Sequence, residues 1–443
     1  MNSMESFPRT AVISQQFTGK KLENLQQHLH DECLRGGFLD RIQPGQRVAI
    51  TAGSRGWANR VLILRTFVQL VREKRGRPCI VAAMGSHGGG TPEGRINVLK
   101  QFGITEDAVG APVLSTPEVT VLGTTPSGLK VHTATEALES DWVIVIGRAK
   151  PHTSFSGPVE SGLHKMMAIG LGKVPGARTV HAQGAAGMCR TIREMGKVFC
   201  DRLNVLCGLV LVENAYGETA DIRAAPPERF DEADQEGLKM ARSLMPKLPV
   251  DELDILIVDQ MGKNFSGTGI DPKIVGRMRI HGLEELQTPF IKRVGILDLS
   301  AESDGNATGV GLADFITKGL KEKIDLKAMY LNCVTSGNVQ RAFLPIVAES
   351  EAQLLDKALS SLGNPEPEAL RYARIQNTRD LDLVEISENV LPELAFPQIV
   401  AEPAHIIRGE QGDLPPRWPL KATWAKDRAQ KAFNRMAVLQ REV

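Results

Sequence analysis

The chain has 443 residues, 42% hydrophobic and 24% charged, a composition that can bury the cores of two or three ordinary domains. Its 53 Lys and Arg residues against 52 Asp and Glu leave a net charge of +1, which argues against a nucleic-acid-binding surface. Six cysteines without a C-x-x-C pair indicate reduced thiols. No signal-peptide pattern and no run of roughly 18 apolar residues is present. We therefore expect a cytoplasmic protein that binds neither nucleic acid nor membrane.

Short apolar runs alternate with glycine-rich turns and helical segments through the first half of the chain. Residues 47–53 predict a buried strand and residues 57–76 a helix. The run PCIVAAMG predicts the next strand, and Thr91 followed by Pro92 predicts the start of a helix. The runs DWVIVIGRAKPH and LNVLCGLVLVENAY continue the alternation. This pattern is typical of a mainly parallel sheet covered by helices on both faces.

The second half repeats the alternation after a proline-bearing stretch, SLMPKLPVD. The runs DILIVDQ, RVGILDLS, MYLNCVT and LDLVEIS predict strands, and EAQLLDKALSSLG predicts a helix. We therefore predict two α/β domains, residues 1–248 and 249–390, each a mainly parallel sheet covered by helices, with the active site in the interdomain cleft. Residues 391–443 are predicted to form an extended connector and a final helix, TWAKDRAQKAFNRMAVLQREV, that packs on the first domain.

Polar residues follow the predicted strands of the first domain, where open parallel sheets bind their ligands. Any one histidine in such a turn is more often a solvated or capping side chain than a functional group. Several histidines in successive turns of this kind favour a functional site more strongly than one does. The candidate site residues of the first domain are Gly53, Ser54, Arg55, His87, His152, Lys165 and His181.

Two other classes of protein stay open on these residues alone. A zinc-dependent or other metal-dependent hydrolase or isomerase could use the same histidines, although H-E-x-x-H and G-x-S-x-G are absent. A non-catalytic phosphate-binding module could use the glycine-rich turn SHGGGTPEG, although no G-K-[ST] follows it.

The order of the motifs resembles the nickel-pincer-nucleotide-dependent lactate racemase family. In that family an Asp-x-Thr-Arg loop after the first strand holds the mononucleotide, and residues 52–55, Ala-Gly-Ser-Arg, occupy it here. A Gly-x-His and a Pro-His supply two catalytic histidines, matching His87 and His152. A cofactor-bearing lysine and a nickel-binding histidine match Lys165 and His181, which are sixteen positions apart as the family pattern expects.

The resemblance implies a racemase or epimerase that inverts C2 of a 2-hydroxy acid by hydride transfer to a nickel(II) pyridinium-3,5-bisthiocarboxylate mononucleotide on Lys165. It assigns His87 and His152 as the acid–base pair and His181 to nickel. Gly53, Ser54 and Arg55 are assigned to the cofactor. Enzymes that make and insert the cofactor are then the expected protein partners, and a homo-oligomer is compatible with the sequence.

Three features depart from the family pattern. Ala52 replaces the loop aspartate, the stretch 152–165 is longer, and the second domain carries the loop GKNFSGTGIDPKIVGR after a predicted strand. In that loop Lys263, Asn264 and Asp271 offer hydrogen-bonding groups, which predict a substrate larger or more polar than lactate, such as an aldonate or a hydroxy-diacid. The alternative interpretation is a glycine-rich hinge.

Overall fold

Two large sheets form the frame of the protein in the computed structural model, which describes residues 2–395 and 397–418. The strands, in chain order, are β1 (Asn2–Ser3), β2 (Thr10–Ser14), β3 (Arg47–Ala52), β4 (Arg77–Ala82), β5 (Val113–Leu114), β6 (Val119–Thr124), β7 (Lys130–Ala134), β8 (Trp142–Arg148), β9 (Val205–Glu213), β10 (Thr219–Ala225), β11 (Glu252–Met261), β12 (Phe290–Leu299), β13 (Phe315–Thr317), β14 (Ile346–Ala348), β15 (Tyr372–Ile375), β16 (Leu383–Ser387), β17 (Gln398–Ala404) and β18 (Ile407–Arg408).

The α-helices connect these strands and cover the sheets. They are α1 (Leu25–Arg35), α2 (Arg60–Glu73), α3 (Pro92–Gln101), α4 (Glu106–Val109), α5 (Thr135–Leu138), α6 (Leu163–Lys165), α7 (Lys173–His181), α8 (Gly184–Arg202), α9 (Phe230–Leu244), α10 (Pro272–Val275), α11 (Lys318–Lys321), α12 (Leu326–Ser336) and α13 (Glu351–Ser360).

The first sheet has six strands in the order β10-β9-β8-β3-β4-β5, and every neighbouring pair except β10–β9 is parallel. Its central strands are apolar and buried along nearly their whole length, because helices pack on both faces. We call this sheet with its helices the first lobe.

The second sheet has eight strands in the order β14-β13-β12-β11-β15-β16-β2-β17. The pairs from β14 to β15 are parallel, and those from β15 to β17 are antiparallel. Apolar clusters again cover both faces. We call this sheet with its helices the second lobe. The predicted fold class, an α/β protein with two mainly parallel sheets covered by helices, is confirmed.

The two ends of the chain correct the predicted organisation. β2 belongs to the second sheet, between β16 and β17, so assigning all of residues 1–248 to the first domain was wrong. The predicted connector after residue 390 contains β17, a strand at the edge of the same sheet. Pro403 obscured it in the sequence, and an edge strand tolerates proline because one side of its backbone needs no partner.

One predicted strand is a helix. The run MYLNCVT lies in α12, which begins where the side chain of Asp325 accepts a hydrogen bond from the backbone N–H of Ala328 and ends at Gly337, whose φ is 73°. The helix is apolar on most of its surface, so its sequence lacks the polar stripe that marks a surface helix.

Two further predictions about the domain organisation are not tested by the structure and stay predictions. The boundary near residue 248 lies between the end of α9 and the start of β11. The predicted final helix lies outside the described residues. Within the part of the chain that the structure describes, no helix is long and apolar enough to cross a membrane.

A buried ion pair joins α5 to the start of α7 on the first lobe. Lys173 is 1% exposed, and its Nζ lies 2.9 Å from Oε2 of Glu136, which precedes β8. The same ammonium donates to the carbonyl oxygen of Thr116 at 2.7 Å. Burial is the largest single influence and would raise the pKa of Glu136, but the hydrogen bonds from Lys173 and the backbone, together with the charge of Lys173, outweigh it and the pKa is lowered.

We predict that Lys173→Met lowers the free energy of unfolding by about 3–5 kcal/mol, because it leaves the Glu136 carboxylate buried without its cation. The double variant Lys173→Met/Glu136→Gln removes both charges and should recover part of that loss. Urea unfolding followed by circular dichroism measures both. Equal stability of wild type and Lys173→Met would contradict a stabilising role for the pair.

Candidate active site

The turn that carries His87 is built from three successive glycines. Gly88, Gly89 and Gly90 have φ values of 63°, 66° and 71°, in the left-handed region that favours glycine. A Cβ on Gly88 would stand 2.3 Å from the carbonyl carbon of Gly94, so the turn also needs glycine for space. The predicted helix start that follows is confirmed, because Thr91 Oγ1 accepts the N–H of Gly94 at 3.1 Å.

Ser54 orients His87 across the ends of neighbouring strands. Ser54 follows β3 and His87 follows β4, and Ser54 Oγ lies 2.9 Å from His87 Nδ1. Part of each of the His87 and Arg55 side chains is exposed to solvent, while protein surrounds the rest. Both side chains therefore line a cleft. Burial and then the charge of Arg55 lower the pKa of His87. Ala52, at the position of the family's aspartate, is fully buried in the apolar core.

Lys165 lies at the junction of α6 with a π-helix that spans Met166–Leu171. The buried carboxylate of Asp234 holds the start of α6, since it accepts the backbone N–H groups of Leu163 and His164 at 2.7 and 3.0 Å. His164 turns away from the cleft, with Nδ1 2.8 Å from Asp234. A π-turn within a helix is unusual and often occurs at functional sites.

The amine of Lys165 has no hydrogen bond or ion pair among the described residues. Burial, then the charges of Arg55 and Arg148, lower its pKa to about 7. Its own charge lowers the pKa values of His87, His152 and His181, so it lies close to all three histidines.

His152 follows β8 and is held from several directions. Its backbone N–H donates to Glu160 Oε2 at 2.6 Å, and its Nδ1 accepts the backbone N–H of Ser154 at 3.1 Å. Its ring stacks on Phe155 with centroids 4.3 Å apart. Burial, followed by the charge of Lys165, lowers its pKa well below the usual value.

His181 is the last residue of α7, and its Nδ1 is buried without a hydrogen-bond partner among the described residues. Burial and then the charge of Lys165 lower its pKa to about 4, so the ring is neutral near pH 7. A neutral imidazole with an unused nitrogen can serve as a metal ligand. Within the described residues, which include all nine histidines, no three His, Cys, Asp or Glu side chains converge to hold a metal.

The second lobe brings its loop after β11 against this site. Arg55 lies beside Gly267, where an added Cβ would stand 3.2 Å from Arg55 Nη2. Lys263 Nζ donates to the carbonyl oxygen of Gly267 at 2.8 Å. Burial, then the charge of Arg55, lower the pKa of Lys263 to about 7. Lys263 also lowers the pKa of His87, which indicates that the two are neighbours across the cleft.

The other two predicted substrate residues hold the loop itself. Asn264 Oδ1 accepts the hydroxyl of Ser300 at 2.8 Å. Asp271 caps α10 by accepting the N–H of Lys273 at 3.1 Å, and its charge raises the pKa of Lys150 against the lowering by burial. Their proposed contact with substrate stays a prediction, and so do the roles of the other candidate residues.

The sequence analysis missed several side chains that shape the site. Asp234 lies on α9, far along the chain from the residues that it holds, whereas Glu160 belongs to the same loop as His152, residues 149–162. Arg341 reaches this His152 loop from the second lobe. Acidic and basic residues of this kind are frequent in any chain, and no motif marks them. Their burial was the one signal, and it follows only from the tertiary fold.

Comparison with known proteins identifies the fold. The lactate racemase apoprotein from Thermoanaerobacterium thermosaccharolyticum matches with a TM-score of 0.50 and 14% sequence identity, over 80% of this chain and 96% of that chain. A protein from Thermotoga maritima matches with a TM-score of 0.49 and 13% identity, over 73% of this chain and 82% of that chain. No family model and no curated protein matches the sequence. The chain therefore has the fold of lactate racemase.

We predict that Lys165 is acylated by acetic anhydride with a pH midpoint near 7, because its pKa is lowered to about 7 and only the neutral amine reacts. Reactivity should be lost as the pH falls below that midpoint, where the ammonium predominates. Lys197, whose side chain is 75% exposed, controls for access of the reagent. Peptide mapping measures both rates. Slower acylation of Lys165 than of Lys197 throughout pH 6–8 would count against a neutral amine.

Proposed function

We propose that this protein is a racemase or epimerase that inverts the hydroxyl-bearing carbon of a 2-hydroxy acid, with a nickel-pincer nucleotide attached to Lys165. The observation that supports it most is Lys165 itself, an enclosed lysine without an acidic partner whose pKa is lowered to about 7. A lysine of this kind is suited to covalent attachment, since its amine is available as a nucleophile near neutral pH.

The residues present fit the proposed cofactor. A pincer ligand brings most of the metal donors itself, so it needs one protein nitrogen rather than a cluster. His181 offers such a nitrogen, buried and without a hydrogen-bond partner in the described part of the chain. The same donor set disfavours the zinc-dependent alternative, which would need three converging ligands.

Positive side chains around the cleft fit two anionic groups, a nucleotide phosphate and a substrate carboxylate. Arg55 has no hydrogen bond or ion pair among the described residues, and Lys263 contacts neutral acceptors only. Guanidinium groups bind carboxylate and phosphate oxygens in pairs, so Arg55 would orient one of these anions. Lys263, from the second lobe, would bind the other anionic group.

Once bound, the cofactor would supply an electron-poor pyridinium carbon that takes hydride from C2 and returns it. The chain must then handle the hydroxyl proton. His87 and His152 would take and return it, one for each stereoisomer, because a neutral imidazole can accept a proton near physiological pH. The apolar packing of Phe155 against His152 would keep water from that side of the substrate.

The charges of the cleft favour a hydroxy-diacid over an aldonate as substrate. Arg55, Lys150 and Lys263 approach the site without carboxylates in direct contact, whereas the side-chain oxygen of Asn264 already accepts the hydroxyl of Ser300. A second carboxylate would meet these cations, while the hydroxyls of an aldonate would find fewer free neutral partners.

We predict that protein made together with the cofactor's biosynthetic enzymes carries an added mass on the peptide containing Lys165, with a visible absorbance, and that Lys165→Ala removes both. Lys173→Ala is the matched control, and it should retain the adduct in its folded fraction. Intact-mass measurement and peptide mapping test this. An adduct on Lys173, or fully active protein without an adduct, would contradict covalent attachment at Lys165, and an unmodified Lys165 would favour the phosphate-binding module.

We predict that substitution of His87 or His152 causes a loss of turnover, whereas substitution of His181 causes a loss of nickel. His87→Ala and His152→Ala should each reduce racemisation of malate at least about 100-fold while nickel content is retained, because both act on the substrate proton. His181→Ala should lose nickel. Chiral chromatography measures turnover and elemental analysis measures nickel. Unchanged nickel in His181→Ala would mean that another residue ligates the metal, and near-normal turnover in either of the others would exclude the paired-base scheme.

A further inference from the structure

The two candidate catalytic histidines differ in the partner of their Nδ1 atoms. His152 Nδ1 lies 3.1 Å from the backbone nitrogen of Ser154, which can only donate. His152 Nδ1 must therefore be unprotonated, and the neutral ring carries its proton on Nε2. His87 Nδ1 instead faces the hydroxyl of Ser54, which can donate or accept, so His87 can adopt either tautomer.

The contact that fixes His152 is itself held by the second lobe. Ser154 Oγ accepts from Asn338 Nδ2 at 3.0 Å and from Arg341 Nη1 at 3.2 Å. Arg341 Nη2 also donates to the carbonyl oxygen of Thr153 at 2.7 Å. These bonds grip the two residues that follow His152, so they determine where the N–H of Ser154 points.

An arginine is unusual at position 341, because the side chain there is buried. Its side chain is fully buried, and every acceptor that it contacts is neutral, including the carbonyl oxygen of Met278. No carboxylate pairs with it among the described residues. A buried cation without a counter-ion is unfavourable, and apolar residues of similar volume are often more stable, so packing alone does not account for it.

We infer that Arg341 and Asn338 are positioning residues that fix His152 as a hydrogen-bond donor at Nε2. This inference rests on the proposed function for its meaning in the reaction. With the lobes in contact, His87 is the histidine ready to accept the hydroxyl proton, while His152 donates a hydrogen bond to the substrate oxygen. His152 can accept a proton at Nε2 only after the ring proton moves to Nδ1, which requires the bond from Ser154 to break. Contact between the lobes therefore controls the second base.

The test uses the full chain labelled with ¹⁵N at histidine, purified without the cofactor. Long-range ¹H–¹⁵N spectra report the protonated nitrogen of each ring, and His152→Gln assigns the His152 signals. We expect the Nε2–H tautomer alone in wild type, and appearance of the Nδ1–H tautomer in Arg341→Met and Asn338→Ala. Amide exchange at Ser154 should become at least about tenfold faster in both variants, and Arg341→Lys should restore part of the protection.

Arg279→Met is the matched control. This second-lobe arginine contacts Gly311 and Asp314 and has no bond to the His152 loop, so both readouts should stay as in wild type. If Arg341→Met does not fold, Asn338→Ala alone still tests the inference. A protonated Nδ1 in wild type, or unchanged readouts in folded Asn338→Ala, would overturn the inference. Because no readout needs the cofactor, absence of racemisation in loaded protein would refute the proposed function without changing these results.

Discussion

Positive charge in the cleft between the two lobes, on side chains that protein partly surrounds and that contact no carboxylate directly, is the constraint on which the rest of the site depends. Such charge is unfavourable unless an anion binds or the group loses its proton. An arginine cannot lose its proton, whereas a lysine can. Arg55 therefore keeps its charge, and its field adds to burial in lowering the pKa values of Lys165 and Lys263 to about 7. One guanidinium thus favours both an anionic ligand and a reactive amine.

The path of the chain explains how the lobes present these groups to each other. The site residues follow β3, β4 and β8 in one sheet and β11 in the other, so the carboxyl ends of both sheets meet at the cleft. Because β2 lies in the second sheet, the chain passes between the lobes both before α1 and after α9. Two connections restrict how the lobes can move apart more than one would, and the contacts of Arg341 with Thr153 and Ser154 cross the same interface.

Local pattern was enough to predict the parallel sheets and the turns at their ends. His87 and His152 follow apolar runs of strand length, and Thr91 and Pro92 mark a helix start through local chemistry. The predictions that were wrong concern features that a local sequence pattern does not contain. β2 pairs with strands more than 350 residues away, and α12 is apolar on too much of its surface for its period to show. Asp234 and Arg341 act through contacts across the fold, which spacing along the chain does not contain.

Glu160 shows how the fold keeps an amine reactive although a buried carboxylate is near. It is fully buried, and its charge raises the pKa of Lys165, yet the lowering by burial and Arg55 prevails. Both of its oxygens are engaged elsewhere. They accept the backbone N–H groups of His152 and Gly157 and the side-chain donors of Arg242 and Lys273, at 2.5 to 3.3 Å. A carboxylate already bonded to four donors offers no free oxygen to an ammonium, so it anchors the His152 loop and leaves Lys165 without a partner. The same interactions that hold one histidine in place therefore preserve the nucleophilic lysine beside it.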